Sequence, residues 1–281
     1  RHAPATRYEN ACATGSAALN GAMDFIAAGR GRIALVVGAE KMTATPGAQV
    51  GDILLGCSWR EEEGETPGGF AGIFGRIAQG YLQKYGDRSE ALARIAAKNH
   101  ANGVENPYAH MRKDIGFEAC NAVTDRNPYV AAPLRRTDCS LVSDGAAALV
   151  LADAETAKAM RRAVAVRARA HVNDILALSR RDVLAFEGPK RAWARALQQG
   201  GLTLDDLSLV ETHDCFTIAE LLEYEAMGLA APGQGHRVIE EGVTSKDGRL
   251  PVNPSGGLKA KGHPVGATGV SQHVMACLQL M

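Results

Sequence analysis

Hydrophobic positions along the chain recur with two different periods. Leu19, Ala22, Met23 and Ile26 fall at helical spacing, so an alanine-rich helix with one apolar face is predicted, closed by Gly29 and Gly31. Ile33-Ala-Leu-Val-Val-Gly38 is a short, continuous apolar run and predicts a buried strand. Ala146–Leu151, Ala163–Val172 and Leu207–His213 predict three more strands, and Ala154–Arg161, Pro189–Gln199 and Asp214–Gly228 predict helices. In the last of these Leu221, Leu222 and Met227 are candidate core residues. Between Lys41 and Asp138 the alternation stops. Loops marked by Asn106-Pro, Asn127-Pro and Ala132-Pro and helical pieces at Ile73–Tyr85 and Ser89–Asn99 predict an insertion over the core, with Glu61, Glu62 and Glu63 on a solvated surface. Strand–helix alternation on either side predicts an α/β protein, in which ligands gather beyond the carboxyl ends of strands.

Composition narrows the function classes. A chain of 281 residues, 46% hydrophobic, has room for one large domain or two ordinary ones. Lys plus Arg and Asp plus Glu both number 31, so no global field favours nucleic acid. The apolar runs are too short and too often broken by charge to predict a membrane span. Cys12, Cys57, Cys120, Cys139, Cys215 and Cys277 are scattered without a CxxC pair, which favours a reducing, cytoplasmic setting over a disulfide framework or a zinc ribbon. The first residue is arginine, and the beginning reads as cut off.

Three places carry reactive side chains. Cys12 lies where a polar turn becomes a helix, with Gly15 and Ser16 leaving room for another group. Amide groups and the helix dipole favour a thiolate there; the competing reading is a small buried residue. His213, Asp214 and Cys215 end a predicted strand, either as reactive groups or as a helix cap followed by core filler. His263 sits in the glycine- and proline-rich stretch 251–269, between Gly262 and Pro264. Pro264 suits the first position of a helix that continues through Val270–Leu280, and the glycines let a ligand approach the backbone. These parts suit acyl transfer through a cysteine thioester, which needs a histidine to take the thiol proton and N–H donors for an oxyanion. No HxxxH or CxxC spacing supports a metal, and the glycines follow no dinucleotide fingerprint.

Three ordered motifs give the chain a resemblance to the thiolase superfamily, and to its sterol-carrier-protein-2-type branch in particular. Asn10-Ala-Cys-Ala-Thr-Gly-Ser16 resembles the nucleophile loop, and Thr212-His-Asp-Cys-Phe216 resembles the HDCF motif that stands where other thiolases have NEAF. Asn253 through Gly269 resembles the GHP loop.

The resemblance implies a five-layered α-β-α-β-α fold of two similar halves with an inserted loop domain. It places the partial N-terminal half at 1–42 and 140–155, the loop domain at 43–139 and the partial C-terminal half at 156–281. It implies thiolysis of a 3-oxoacyl-CoA or the reverse Claisen condensation, with Cys12 as nucleophile, His263 as its activator and His213 supporting an oxyanion hole. Ser140 corresponds to a pantetheine contact. Coenzyme A thioesters are then substrates, no cofactor is held permanently, and a homodimer or homotetramer in lipid metabolism is expected. The family's last motif, a CxG with the acid/base cysteine, is absent from these residues, and both termini read as incomplete. Cys215 is the candidate to replace that cysteine. The alternative is a catalytically weak relative that binds acyl-CoA or scaffolds a partner.

Overall fold

A computed structural model describes residues 3–281; residues 1 and 2, within the expected first half, lie outside the described residues. In chain order the first elements are α1 (Thr14–Ala27), β1 (Ile33–Glu40), α2 (Gly47–Leu54), α3 (Arg60–Glu63), α4 (Gly69–Tyr85), α5 (Ser89–Gly103), α6 (Phe117–Asn121), β2 (Tyr129–Ala131) and β3 (Leu134–Arg135). There follow β4 (Gly145–Ala152), α7 (Ala154–Lys158), α8 (Glu187–Gly200), α9 (Thr217–Ala226), α10 (Gly235–Glu240), α11 (Gly257–Lys261) and α12 (Val265–Leu280). The chain divides into two compact units, one of 1–42, 143–166 and 263–281, the other of 43–142 and 167–262.

In the first unit β1 and β4 pair antiparallel, in register from Ile33 opposite Ala152 to Glu40 opposite Gly145. α1 and α12 pack on one face of this pair. Leu19, Val36 and Val270 are buried at their junction, flanked by Met23, Leu149 and Val274. Both strands were expected to be buried, and here only one face is covered. Successive side chains point to opposite sides of a strand, so Val36 is buried while Leu35 is 66% and Val150 62% exposed.

The second unit is mostly helical. Ile73, Ile77 and Tyr81 recur every fourth residue along α4 and pack with Leu92 and Ile95 of α5 and Ile218, Leu221 and Leu222 of α9. Glu63 departs from the surface reading of its triplet. It is buried, and its carboxylate accepts the Trp59 N–H at 2.9 Å and the Leu178 N–H at 2.8 Å.

Two expected strands do not form. Within 163–172, Arg167 Nε donates to the Gly200 carbonyl at the end of α8 and the Gln199 side chain accepts from Arg169 N–H, and among the described residues no strand pairs with this stretch. Residues 207–213 make a single parallel bridge, Val210 to Val252. Its bonds are Val210 N–H to Pro251 O at 2.8 Å and Asn253 N–H to Val210 O at 2.7 Å. Asn253 then turns left-handed at φ +54°, and the pairing cannot continue.

Candidate active site

Within the first unit, Cys12 sits in a single 3-10 turn, Ala11–Ala13, that feeds directly into α1. The turn is held by three local bonds: Asn10 N–H to Thr14 Oγ1 at 2.8 Å, Ala11 N–H to Glu9 Oε1 at 2.9 Å and Ala13 N–H to Asn10 O at 3.0 Å. Ala11 has φ +48°, a left-handed conformation that an L-residue with a Cβ adopts at a cost of roughly 1–2 kcal/mol. Strain immediately before a half-buried cysteine marks a backbone shaped for the following side chain rather than for itself.

His263 lies at the entry to α12, in the same unit. The helix starts at Val265, so Pro264 is its N-cap and not its first residue, and Gly266 and Gly269 are helical. Glu40 Oε2 accepts the Gly266 N–H at 3.0 Å and satisfies one exposed amide of that first turn. The His263 backbone N–H donates to Ser143 Oγ at 2.8 Å, and its Nδ1 lies 2.7 Å from Thr268 Oγ1. His263 as a residue is 7% exposed.

Glycine brings these two helix starts together. A Cβ on Gly38 would meet Ala267 Cα at 2.8 Å, and one on Gly145 would meet Pro264 Cγ at 2.9 Å, so α12 rests directly on the backbone of both strands. In the same unit the Cys12 Sγ and a His263 ring nitrogen lie within 4.8 Å of each other. A thiol and an imidazole at this separation are close enough to exchange a proton.

The second unit holds the other motif residues. Asp214 is buried but does not cap α9, which begins only at Thr217; it caps α11 instead. Its carboxylate accepts Leu258 N–H at 2.6 Å, Lys259 N–H at 3.2 Å and Asn99 Nδ2–H at 2.9 Å. Burial and the neighbouring Glu220 carboxylate raise the pKa of Asp214. Removal from water, reinforced by the positive charge of Lys261, pushes the half-buried His213 down to about 4, so its imidazole is neutral at neutral pH. Cys215 is buried, and its carbonyl accepts the Ser140 N–H at 2.9 Å. Gly262 ends α11 at φ +114°, which only glycine takes readily.

Glu220 organises this region. Fully buried on α9, it accepts Lys98 Nζ at 2.6 Å, Asn99 Nδ2 at 2.6 Å, Asn253 Nδ2 at 2.9 Å and Tyr224 OH at 2.5 Å. Asn253 in turn accepts Thr212 N–H on Oδ1 at 2.9 Å, tying the residue before His213 to the start of the GHP loop. In the sequence Ser143 reads as a turn serine, Asn253 and Thr268 stand within the GHP motif without a role of their own, and Glu220 carries no mark. Only Thr268 carried a local signal, a hydroxyl one helical turn beyond Pro264.

Comparison with known proteins agrees along the whole chain. The family model described as "Thiolase, N-terminal domain" matches residues 1–155, and that described as "Thiolase C-terminal domain-like" matches residues 170–281. The chain is 38% identical over 283 residues to acetyl-CoA acetyltransferase of Methanothermobacter thermautotrophicus, covering 99% of this chain and 71% of the relative. It is 36% identical over 275 residues to acetyl-CoA acetyltransferase of Methanocaldococcus jannaschii, covering 96% and 69%. To sterol carrier protein 2 of Bos taurus it is 34% identical over 291 residues, covering 99% and 53%. Among solved structures, an Ltp2-ChsH2(DUF35) aldolase superposes with a TM-score of 0.79 at 23% identity, covering 94% of this chain and 69% of that one. A monomeric SCP2-thiolase-like protein type 1 from Mycobacterium smegmatis superposes with a TM-score of 0.68 at 22% identity, covering 94% and 53%. These last two likenesses speak for the fold.

Proposed function

The chain belongs to the thiolase family, with the α/β thiolase fold, and on that premise we propose that it transfers acyl groups between coenzyme A thioesters through an acyl-enzyme on Cys12. The observation that carries this reading is the Cys12–His263 pair, sulfur and ring nitrogen within 4.8 Å at the starts of two helices.

In the first half-reaction the Cys12 sulfur attacks the thioester carbonyl while His263 takes the thiol proton. The tetrahedral intermediate collapses, the carbon–sulfur bond to coenzyme A breaks, and His263 returns the proton to the departing sulfur. In the synthetic second half, a base removes an α-proton from a second acyl-CoA. The resulting enolate attacks the Cys12 thioester and expels the Cys12 thiolate; thiolysis is the reverse. Cys215 is assigned as that base and His213 as an oxyanion donor on the strength of the His213-Asp-Cys-Phe216 motif. A neutral His213 suits the donor role, since its N–H strengthens its bond only as charge develops on the carbonyl oxygen.

Ser140 and the Gly262 backbone are proposed contacts of the coenzyme A arm. The kinship of the parts is proposed as 1–42 with 140–155 for the first half, 43–139 for the loop domain and 156–281 for the second half. A cytoplasmic homo-oligomer acting in lipid metabolism, with coenzyme A thioesters as substrates and no resident cofactor, completes the proposal. Among the described residues no helix is long and apolar enough to cross a membrane.

The test is to incubate the protein with acetyl-CoA and read its mass, and with acetoacetyl-CoA plus free coenzyme A and read turnover. One acetyl group on the Cys12 peptide, with thiolytic release of acetyl-CoA, is expected. Coenzyme A binding without any acyl-enzyme overturns the assignment in favour of an acyl-CoA-binding or scaffold protein.

A further inference from the structure

We propose that Thr268 is a positioning residue that decides which nitrogen of His263 carries the proton. The inference rests on the reading of Cys12 and His263 as nucleophile and base. Thr268 is fully buried in α12, and its hydroxyl faces two groups, His263 Nδ1 at 2.7 Å and the Pro264 carbonyl at 3.1 Å. A carbonyl oxygen can only accept, and a hydroxyl has a single hydrogen. Once Thr268 donates that hydrogen to Pro264 O, only its lone pairs face the imidazole. Nδ1 must then be the donor, and Nε2 is left as the lone-pair nitrogen, the form that can accept a proton from a thiol.

The local backbone favours this arrangement, with the Pro264 carbonyl shared between Thr268 Oγ1 and the Ala267 N–H at 2.8 Å. Threonine in a helix readily donates to the carbonyl four residues back, and Pro264 stands four residues before Thr268. Pro264 brings no N–H of its own to compete. On the other side, Ser143 Oγ accepts the His263 backbone N–H at 2.8 Å, so the residue is anchored through its main chain while Thr268 orients its ring. The imidazole thus enters the reaction with the correct tautomer already set. In water the opposite tautomer, with the hydrogen on Nε2, competes, and it offers the thiol a donor where an acceptor is needed.

The experiment uses the full chain without substrate. Long-range proton–nitrogen NMR of the labelled protein, with His263 assigned by its loss in His263→Gln, reads the tautomer. Mass spectrometry of iodoacetamide alkylation reads the rate at Cys12 against Cys57 in the same molecule. We expect the wild type to carry its hydrogen on Nδ1. In Thr268→Val, which keeps the shape and loses the acceptor, the hydrogen should shift to Nε2 and Cys12 alkylation should slow about 100-fold, the low end of what a lost general base forfeits. Thr268→Ser restores the acceptor and should restore both readings. A wild-type hydrogen on Nε2, or a Thr268→Val that keeps the Nδ1 hydrogen and the Cys12 rate, overturns the proposal. Should Thr268→Val fail to fold, the wild-type and Thr268→Ser spectra decide alone. Both readings are taken on free protein, so absent acyl transfer in a wild type with an Nδ1 hydrogen sinks the acyltransferase reading instead.

Discussion

Gly15 of α1 meets Gly269 of α12 backbone against backbone. A Cβ on Gly15 would lie 2.4 Å from Val270 N and 2.9 Å from Gly269 Cα, and one on Gly269 would lie 2.5 Å from Ser16 N. The missing side chains therefore set the distance between the two helices, and with it the distance between Cys12, three residues before one glycine, and His263, six before the other. Gly15→Ala and Gly269→Ala should each destabilise the protein by roughly 1–3 kcal/mol, as overpacking does, and lower acyl-enzyme formation more than the lost stability accounts for. Chemical denaturation alongside acylation at a temperature where the variant is folded checks both parts; unchanged acylation in folded Gly15→Ala would remove the spacing from the mechanism.

Cys12→Ala should abolish covalent acylation and leave coenzyme A affinity within about threefold, because the sulfur bonds to the acyl carbon and not to the carrier. His263→Ala should cut turnover by at least ~100-fold, as loss of a general base does. Intact-protein mass spectra and calorimetric titration with coenzyme A measure the first, steady-state thiolysis the second.

A histidine of the second unit, His100, should weaken the fold in acid. His100 on α5 is 1% exposed, both ring nitrogens are unpartnered, and burial with the nearby charge of Lys259 pushes it down to about 3. An unfolded histidine binds a proton below about pH 6.5, while the folded one stays neutral until about 3, so its penalty grows as pH falls between those values. Stability is unaffected by this group above about pH 6.5 and declines by about 1.4 kcal/mol per unit below it. His100→Leu should therefore lose about 2 kcal/mol less than the wild type between pH 6.5 and 5, by urea denaturation at the two values. Equal losses in both proteins would show that His100 is protonated in the fold.

Glu220 and Lys98 form a pair with side chains 0% and 7% exposed. Glu220→Ala leaves a buried ammonium uncompensated and should cost about 3–5 kcal/mol, whereas the double change with Lys98→Met should recover part of that loss. Denaturant midpoints of the two variants decide, and a double variant as weak as the single would place the stabilisation in the Asn99, Asn253 and Tyr224 bonds instead.

Much of this was legible in the residues. Periodicity marked α1, α4, α5, α8 and both strands of the first unit, because there the apolar face is local and continuous. The turn at Cys12 and the glycine-lined His263 were visible as switches between an irregular stretch and a helix. What failed was whatever depends on a distant partner. Val210 looked like part of a strand, yet a strand exists only where another chain segment keeps pace, and Asn253 turns away. Glu63 looked like surface because nothing in its neighbourhood announces the Leu178 amide that claims its carboxylate. Asp214 read either as a reactive group or as a cap for the helix that follows it, and it caps a helix more than forty residues onward.

That last bond has a mechanical consequence. A helix of five residues cannot hold its own shape in water. The Asp214 carboxylate clamps the start of α11, where a side chain on Gly257 would come within 2.3 Å of Asp214 Oδ2, while the end of the helix is held by the Met111 N–H on Ala260 O at 3.0 Å and the His110 N–H on Lys261 O at 3.2 Å. The amides of Leu258 and Lys259 should accordingly exchange with solvent far more slowly than so brief a helix allows. The segment that leads out of it through Lys261 and Gly262 therefore starts from a helix whose first turn the His213 motif holds in place.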